Sequence, residues 1–359
     1  MTKGRLQHVT TKFRNQLLAH QEQAERQLEA WYQHVLATIQ PQLDALYKQI
    51  GDMQQSDETI HPSWLYEKNR LNNIKQLIIN HIGTFAYNAG QVVEHLQSVG
   101  VMLGRQSASA QLEATVPAGL SYQFGVPSLK AITDMVGTLQ DGSPLADLFS
   151  TFGEQAAKDV QSALVTGLTL GDNPRKVARD VQQALNIPRT RALTIARDQL
   201  ITPYRSAALE TYNANSDVTN GWVWSADLSS RSCAACIALN GSVHDLSEDF
   251  ASHNNCRCAP VPQTKSWADI LPGVDLSGIE DTSVQVQDGS EWFDQQDAST
   301  QRQILGSNAA YAAYKDGAIT LKDLVGKQHS EAWGTSRYQK SLKEALGLKK
   351  AQHYYKKAS

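Results

Sequence analysis

CAACIALNGSVHDLSEDFASHNNCRC, residues 233–258, holds every cysteine of the 359-residue chain, with a histidine just ahead of the last two. Cys233 and Cys236 form a C-x-x-C pair; His253, Cys256 and Cys258 form a second cluster, with 19 residues between Cys236 and Cys256. Zinc takes four soft or borderline donors in a tetrahedron, and two short chelating pairs on separate turns supply them at low cost in chain entropy. The separation falls in the range found between the two halves of structural zinc sites. Asn240-Gly241, set between two short apolar pieces, predicts a hairpin that would return the chain so that the clusters meet. Five donors compete for four places. Cys233 and Cys236 supply one pair, and the second is Cys256 with Cys258 or Cys256 with His253; His244 is a further candidate. Two other readings stay open, reduced thiols that are simply close in space and disulfides formed outside the cell. A redox C-x-x-C needs a βαβ setting that the flanking sequence lacks. Four protein ligands leave no open coordination position, so the zinc expected here is structural and not catalytic.

The rest of the chain sets the context for this stretch. The length allows two domains, or one with large helical extensions. A formal net charge of −3 implies no bulk attraction to nucleic acid or membrane, so any such binding needs a local patch. The N-terminal residues are polar, with no signal-peptide pattern, and no apolar run is long enough to predict a membrane-spanning helix. We therefore expect a soluble chain made in the cytoplasm.

Residues 1–120 read as a helical N-terminal region. Leu28, Trp31, Val35, Ile39, Leu43, Leu46 and Ile50 recur at steps of three and four, with a kink or break expected at Pro41 and an end at Gly51. A second stripe runs through Leu71, Ile74, Ile78, Ile82, Phe85, Ala89, Val92 and Leu96, and the pattern weakens from Gly100 to Ser150. Residues 121–150 read as a connecting region and 151–265 as a domain that opens with a helical block. There Asn173 and Pro174 suit an N-cap and first helical position, and a later helix is expected to bend at Pro203. At Asn220 the pattern changes, and WVWSA reads as a strand. Residues 266–359 read as a C-terminal helical extension with a basic tail, Asp297 capping one helix and Gly306 ending it. The fold class is mainly α: helical N-terminal region and helical block, then a small α+β module with a hairpin and a zinc staple.

No phosphate-binding loop, nucleophile elbow or H-E-x-x-H motif occurs, so no enzymatic activity is expected. Arg175, Lys176, Arg179, Arg189, Arg191, Arg197 and Arg205 outnumber Asp180 and Asp198 along the helices before the strand. They are candidate contacts to DNA or an acidic partner, set against the plainer reading of a solvated face.

LTIARDQ on a helix, GWVWSADLSSRSCAACIALNGSVHDL and SHNNCRCAPVP, in that order, resemble the phage Mu protein F-like minor head proteins. The likeness covers roughly residues 150–265 and rests on Trp224, Asp227, Arg231, Leu239-Asn240-Gly241 and Cys256-Arg257-Cys258. The segment EWFDQQDASTQRQILGSNAAYAAYKDGAITLKDLVG also looks like an extension some members carry. Asp198-Gln199 departs from the glutamate or threonine-glutamate pair of many members. The resemblance implies a minor head protein of a tailed phage or prophage, acting in head morphogenesis. Its implied partners are the portal protein, the major capsid or scaffold protein and DNA, with no membrane. Its implied location is the host cytoplasm during assembly and then the virion head. The alternative is an effector or toxin that carries this module with a catalytic C-terminal region.

Overall fold

The computed structural model describes residues 2–56, 60–127, 134–139, 142–277, 286–330 and 334–358. Parts of the expected connecting region and of the acidic stretch after residue 277 lie outside these. The chain forms two compact units, one of residues 18–97 and 142–200, the other of residues 1–17, 98–141 and 201–359.

The first unit is helical. Helix α1 (Thr2–Gln55) supplies residues 18–55 and α2 (Arg70–Ala114) supplies 70–97. Between them Pro62–Leu65 and Glu67–Asn69 are single 3-10 turns. The short α3 (Leu145–Ser150) leads into α4 (Phe152–Thr169), and α5 (Pro174–Asn213) adds residues 174–200. Both predicted stripes are buried with local shifts. Tyr32, not Trp31, enters the core, edge-on to Phe85 at 5.0 Å, and its hydroxyl donates to the Leu185 carbonyl. Val93 takes the place expected of Val92. The predicted break at Pro41 does not occur, because α1 runs through it. Ala37, whose carbonyl loses its partner to the proline, is exposed, so water can take that bond. Asn173 Oδ1 accepts from the Lys176 N–H at 3.0 Å, the expected cap. The two helices expected after it are one, since α5 is continuous through Pro203.

In the second unit, residues 98–114 of α2 and 201–213 of α5 carry a three-stranded antiparallel sheet. Strand β1 (Thr219–Ser225) lies between β2 (Val243–His244) and β3 (Ala259–Thr264). Pro260 and Pro262 cost β3 little, because among the described residues it is an edge strand with no second neighbour to bond. Helix α2 extends well past Gly100, where the apolar pattern fades. The reason is close approach. A Cβ on Gly104 would collide with the Tyr204 backbone, and Ser107, Ala108 and Gln111 continue this small or polar face, with Ser107 accepting from the Tyr204 hydroxyl at 2.8 Å. Gly104→Ala is therefore expected to cost about 1–3 kcal/mol through overpacking, read as a lowered thermal midpoint.

The Asn240-Gly241 turn joins a helix to a strand, not two strands. Residues 234–239 form helix α6 (Ala234–Leu239), so the expected hairpin partner of β2 is replaced by β1, with Trp222 opposite His244. The run AACIAL carries alanines and leucine, which favour helix, and Cys233 Sγ caps it by accepting from Cys236 N–H at 3.3 Å. Gly241 has φ +87°, and buried Asn240 accepts from Ala226 N–H at 2.6 Å and donates to the Gln287 carbonyl at 2.7 Å.

The C-terminal segment is not purely helical. After α7 (Trp267–Ile270), α8 (Gly289–Asp294), α9 (Ala298–Leu305) and α10 (Asn308–Lys315), a hairpin forms from β4 (Val325–Ser330) and β5 (Gly334–Gln339). Helices α11 (Leu342–Leu346) and α12 (Leu348–Lys357) follow. Asp297 and Gly306 cap α9 as expected, Gly306 in the left-handed region at φ +77°. Ala234 and Ile237 of α6 sit in the core of this segment with Phe293, Ile304, Leu305 and Leu324. Gln339 Oε1 accepts from Ala234 N–H at 2.8 Å. A Cβ on Gly289 would collide with the Ile237 carbonyl. Helix α6 thus belongs to two cores.

Candidate metal centre and basic residues

The other face of α6 carries the cysteines. Cys236 packs in a cluster with Cys256, Cys258, Trp222, Trp224 and Phe250, and all four thiols are free. The turn after β2 brings His253 back over α6, where its Nε2 lies 3.3 Å from both Cys233 Sγ and Cys236 Sγ. Cys236 Sγ and Cys256 Sγ are 3.7 Å apart, well beyond the bond length of about 2.05 Å in a disulfide. Donor atoms about 2.0–2.3 Å from a zinc ion at tetrahedral angles lie roughly 3.5–3.8 Å from one another, close to these separations. His253 Nδ1 is 2.7 Å from the Asn254 carbonyl, so the Nδ1-protonated tautomer turns the Nε2 lone pair toward the thiols. That is the arrangement metal-bound imidazoles adopt.

The donors form two groups, Cys233 with Cys236 and His253, and Cys236 with Cys256 and Cys258, each with ligand atoms within 4.8 Å of one another. All five could hold a metal, and Cys236 is common to both groups. His244 is not among them. It stacks on Trp222 with ring centroids 4.2 Å apart and lies 3.1 Å from a Glu248 carboxylate oxygen, which corrects its candidacy as a ligand.

The protons of the cluster are unevenly shared. Hydrogen bonding from Cys236, against the opposing effect of burial, and the neighbouring His253 hold the Cys233 thiol down at about 5. Hydrogen bonds from Cys236 and Cys258 hold Cys256 well below the ordinary thiol value. Cys236 is raised by its contacts with Cys233, Cys256 and Cys258 and by burial. At Cys258 the lowering contact with Cys236 is outweighed by the bond to Cys256 and by burial, so it too is raised. Burial lowers His253, but the thiolates at Cys233 and Cys256 overcome it and lift the imidazole to about 9. Crowded lone pairs held apart by shared protons are the donor set that a divalent cation would take over, releasing those protons.

Arg205, one of the expected partner contacts, is turned inward. It is 4% exposed and donates to the Cys258 carbonyl at 2.8 Å, the Cys256 carbonyl at 3.0 Å and Ser252 Oγ at 2.6 Å, with its guanidinium 4.6 Å from the Phe250 ring centre. The closing C-x-C turn is therefore held by a buried arginine, which removes Arg205 from the basic surface. Sequence spacing gave no signal of this role, because Arg205 sits on the same helix as six other basic candidates.

Those others divide. Arg189 pairs with Glu29, and Arg197 pairs with Glu25 at 2.6 Å. Lys176 pairs with Asp172, and with Asp180 at 3.6 Å. Arg191 lies over the Phe152 ring at 4.9 Å. Arg175 and Arg179 are exposed one turn apart, with no ion pair among the described residues. Beside the cysteines a cavity of about 230 Å³ is lined by Asp227, Arg231, Arg257 and the thiols. Asp227 is paired with Arg14 at 3.2 Å.

Residues 158–261 match the family model described as Phage Mu protein F like protein. This segment is a phage Mu protein F-like domain. The Mu F-like domain so delimited starts within α4, takes in α5, β1, α6 and β2, and ends inside β3. It contains all five candidate metal ligands and Arg205, while the C-terminal segment packed on α6 lies beyond it. The assignment suggests a phage head morphogenesis protein. No curated protein and no solved structure matches the chain. No helix among the described residues is long and apolar enough to cross a membrane.

Proposed function

We propose that this chain is a minor head protein of a tailed phage, associated with the portal during head assembly, and that its Mu F-like domain is stapled by one structural zinc ion. The observation that carries the reading is the meeting of both cysteine groups at Cys236 inside a segment with the family's match. Thiolates and a neutral imidazole are donors that suit zinc, and a site filled by four protein ligands has no position for substrate. The bound ion would neutralise the thiolates and fix α6 against the C-x-C turn. Helix α6 would then present a rigid face to the C-terminal segment. The protein's work in this reading is attachment and placement, without chemistry of its own. Its place of action is the host cytoplasm during assembly and the virion head afterward.

Arg175, Arg179 and Arg191 are the basic candidates left exposed on α5, and they are the proposed contact to an acidic patch on the portal. Replacing all three with Ala is expected to weaken capture of this chain by purified portal rings at least tenfold at low salt, leaving the thermal midpoint within about 2 °C. Capture unchanged by the triple substitution would assign these arginines to a solvated face. Failure of the parent protein to bind portal at all would contradict the association itself. The effector reading predicts instead a toxic activity on expression that maps to residues 266–359.

A further inference from the structure

Three side chains that the metal centre does not use meet at β2 and the turns on either side of it. Ser242 Oγ is 2.8 Å from His244 Nε2, and His244 Nδ1 is 3.1 Å from a Glu248 carboxylate oxygen. Ser242 and His244 are two apart in extended chain and so share a face, and the turn after β2 returns Glu248 to the ring. The hydrogen bond from His244 holds Glu248 below its ordinary carboxylate value, and an ionised carboxylate only accepts. Nδ1 of the neutral ring therefore carries the proton. The Nε2 lone pair faces Ser242, whose hydroxyl donates to it. Stacking on Trp222, with centroids 4.2 Å apart, fixes the ring. The backbone adds a further donor. Gly241, at φ +87°, and Ser242 form a bulge opposite Trp224: Gly241 N–H donates to the Trp224 carbonyl and Trp224 N–H to the Ser242 carbonyl, each at 2.9 Å. The next pair along, Val223 with Val243, is then a non-hydrogen-bonded one. Since β2 is an edge strand among the described residues, the Val243 N–H points off the sheet beside the serine.

We propose that Ser242 is an activated nucleophile, with His244 as its general base and Glu248 as the positioning residue, and that the set transfers acyl groups from small neutral esters to water. Ser242 Oγ attacks the ester carbonyl carbon while its proton passes to His244 Nε2, and the Val243 N–H receives the oxyanion. Collapse of the adduct breaks the bond to the alcohol oxygen, which leaves with the proton held by His244. Water, giving a proton to the same nitrogen, then attacks the acyl-serine and releases the carboxylic acid and the serine hydroxyl. No sequence motif marks the set, because such a constellation is defined by geometry and roles. The substrate class follows from the surroundings. Ser242 is half-buried and Val243 64% exposed, so the acyl group lies on an open surface. Asp245 and Asp249 are exposed around it and repel an anionic one. The activity goes beyond the head-protein reading, which gives the chain no chemistry, and depends on neither portal nor zinc.

The test is labelling of the full-length chain with an alkyl fluorophosphonate, the adduct being located by tandem mass spectrometry. In that reaction Ser242 Oγ bonds to phosphorus, fluoride leaves and His244 takes the proton. The native chain is expected to form the adduct on Ser242, and the chain unfolded in urea is not. Ser242→Ala should abolish it, and His244→Gln should slow it about a hundredfold. The Glu248 side chain is 47% exposed, so Glu248→Gln keeps the fold and should slow labelling on the order of tenfold. Hydrogen bonds that only fixed the turn would change the thermal midpoint in these variants and leave the labelling rate alone. With p-nitrophenyl acetate, the parent should hydrolyse about tenfold faster than Ser242→Ala. The proposal is overturned if the native parent takes no label on Ser242, or if the unfolded chain labels as fast. It is also overturned if Glu248→Gln labels within twofold of the parent, or if Ser242→Ala hydrolyses the ester at the parent's rate.

Discussion

Cys236→Ser is expected to strip the purified protein of zinc and to unfold the segments on both sides of α6. Any tetrahedral set drawn from the five donors must join the group at His253 to the group at Cys258, and Cys236 is the thiol they share. Its removal leaves no donor common to the two groups. His253→Ala and Cys258→Ser behave differently, because each leaves four donors that still include Cys236. The first keeps four thiolates, and the second keeps three thiolates and an imidazole. Protein purified without chelator should therefore carry about one zinc per chain in the parent and in these two variants, and close to none in Cys236→Ser. Loss of a structural zinc is worth on the order of 5 kcal/mol or more, and here it should spread. Helix α6 contributes Cys236 to the core that holds Trp222 and Trp224, and Ala234 and Ile237 to the core of the C-terminal segment. Tryptophan fluorescence and proteolysis beyond residue 289 should report the same transition. Equal stability and equal metal content across all four proteins would remove the staple from the account.

Arg205→Ala is expected to destabilise the domain by about 3 kcal/mol, a drop in thermal midpoint of roughly 6–12 °C. The substitution leaves the Cys256 and Cys258 carbonyls and Ser252 Oγ without their buried donor, and removes the guanidinium from the Phe250 ring. Arg205→Lys should recover little of this, since an ammonium cannot reproduce a planar fork that reaches three acceptors in different directions. Zinc affinity should fall in both variants as the C-x-C turn loosens. If Arg205→Lys matches the parent in stability and metal retention, the guanidinium geometry is not what holds the turn.

Arg205 also marks where sequence reasoning ran out. Periodicity exposed the long stripes of α1 and α2, because a core that buries one helix face leaves a repeat of three and four. It lost α2 beyond Gly100, where contact is made by Gly104, Ser107 and Ala108 and the close approach is by backbone. Caps with a side-chain oxygen were legible, as at Asn173 and Asp297, since their chemistry is local. The cysteine cap of α6 was not, and a helix that ends at Asn240-Gly241 was read as half of a hairpin. The hairpin of β4 and β5 was missed because GKQHS and TSRYQ are polar on both faces, so no alternation marks them. That the five Cys and His side chains come together in groups that could hold a metal was legible from spacing. The burial of Arg205 was not, because a buried arginine and a solvated one look alike until the acceptors around it are known.

The most direct test of the functional claim is quantitative mass spectrometry of procapsids and mature particles of the phage that encodes this chain, with its copies counted against portal and major capsid protein. The account predicts a few copies per portal ring in procapsids, in a ratio to portal that is the same from one preparation to the next. Absence of the chain from both procapsids and particles would contradict it.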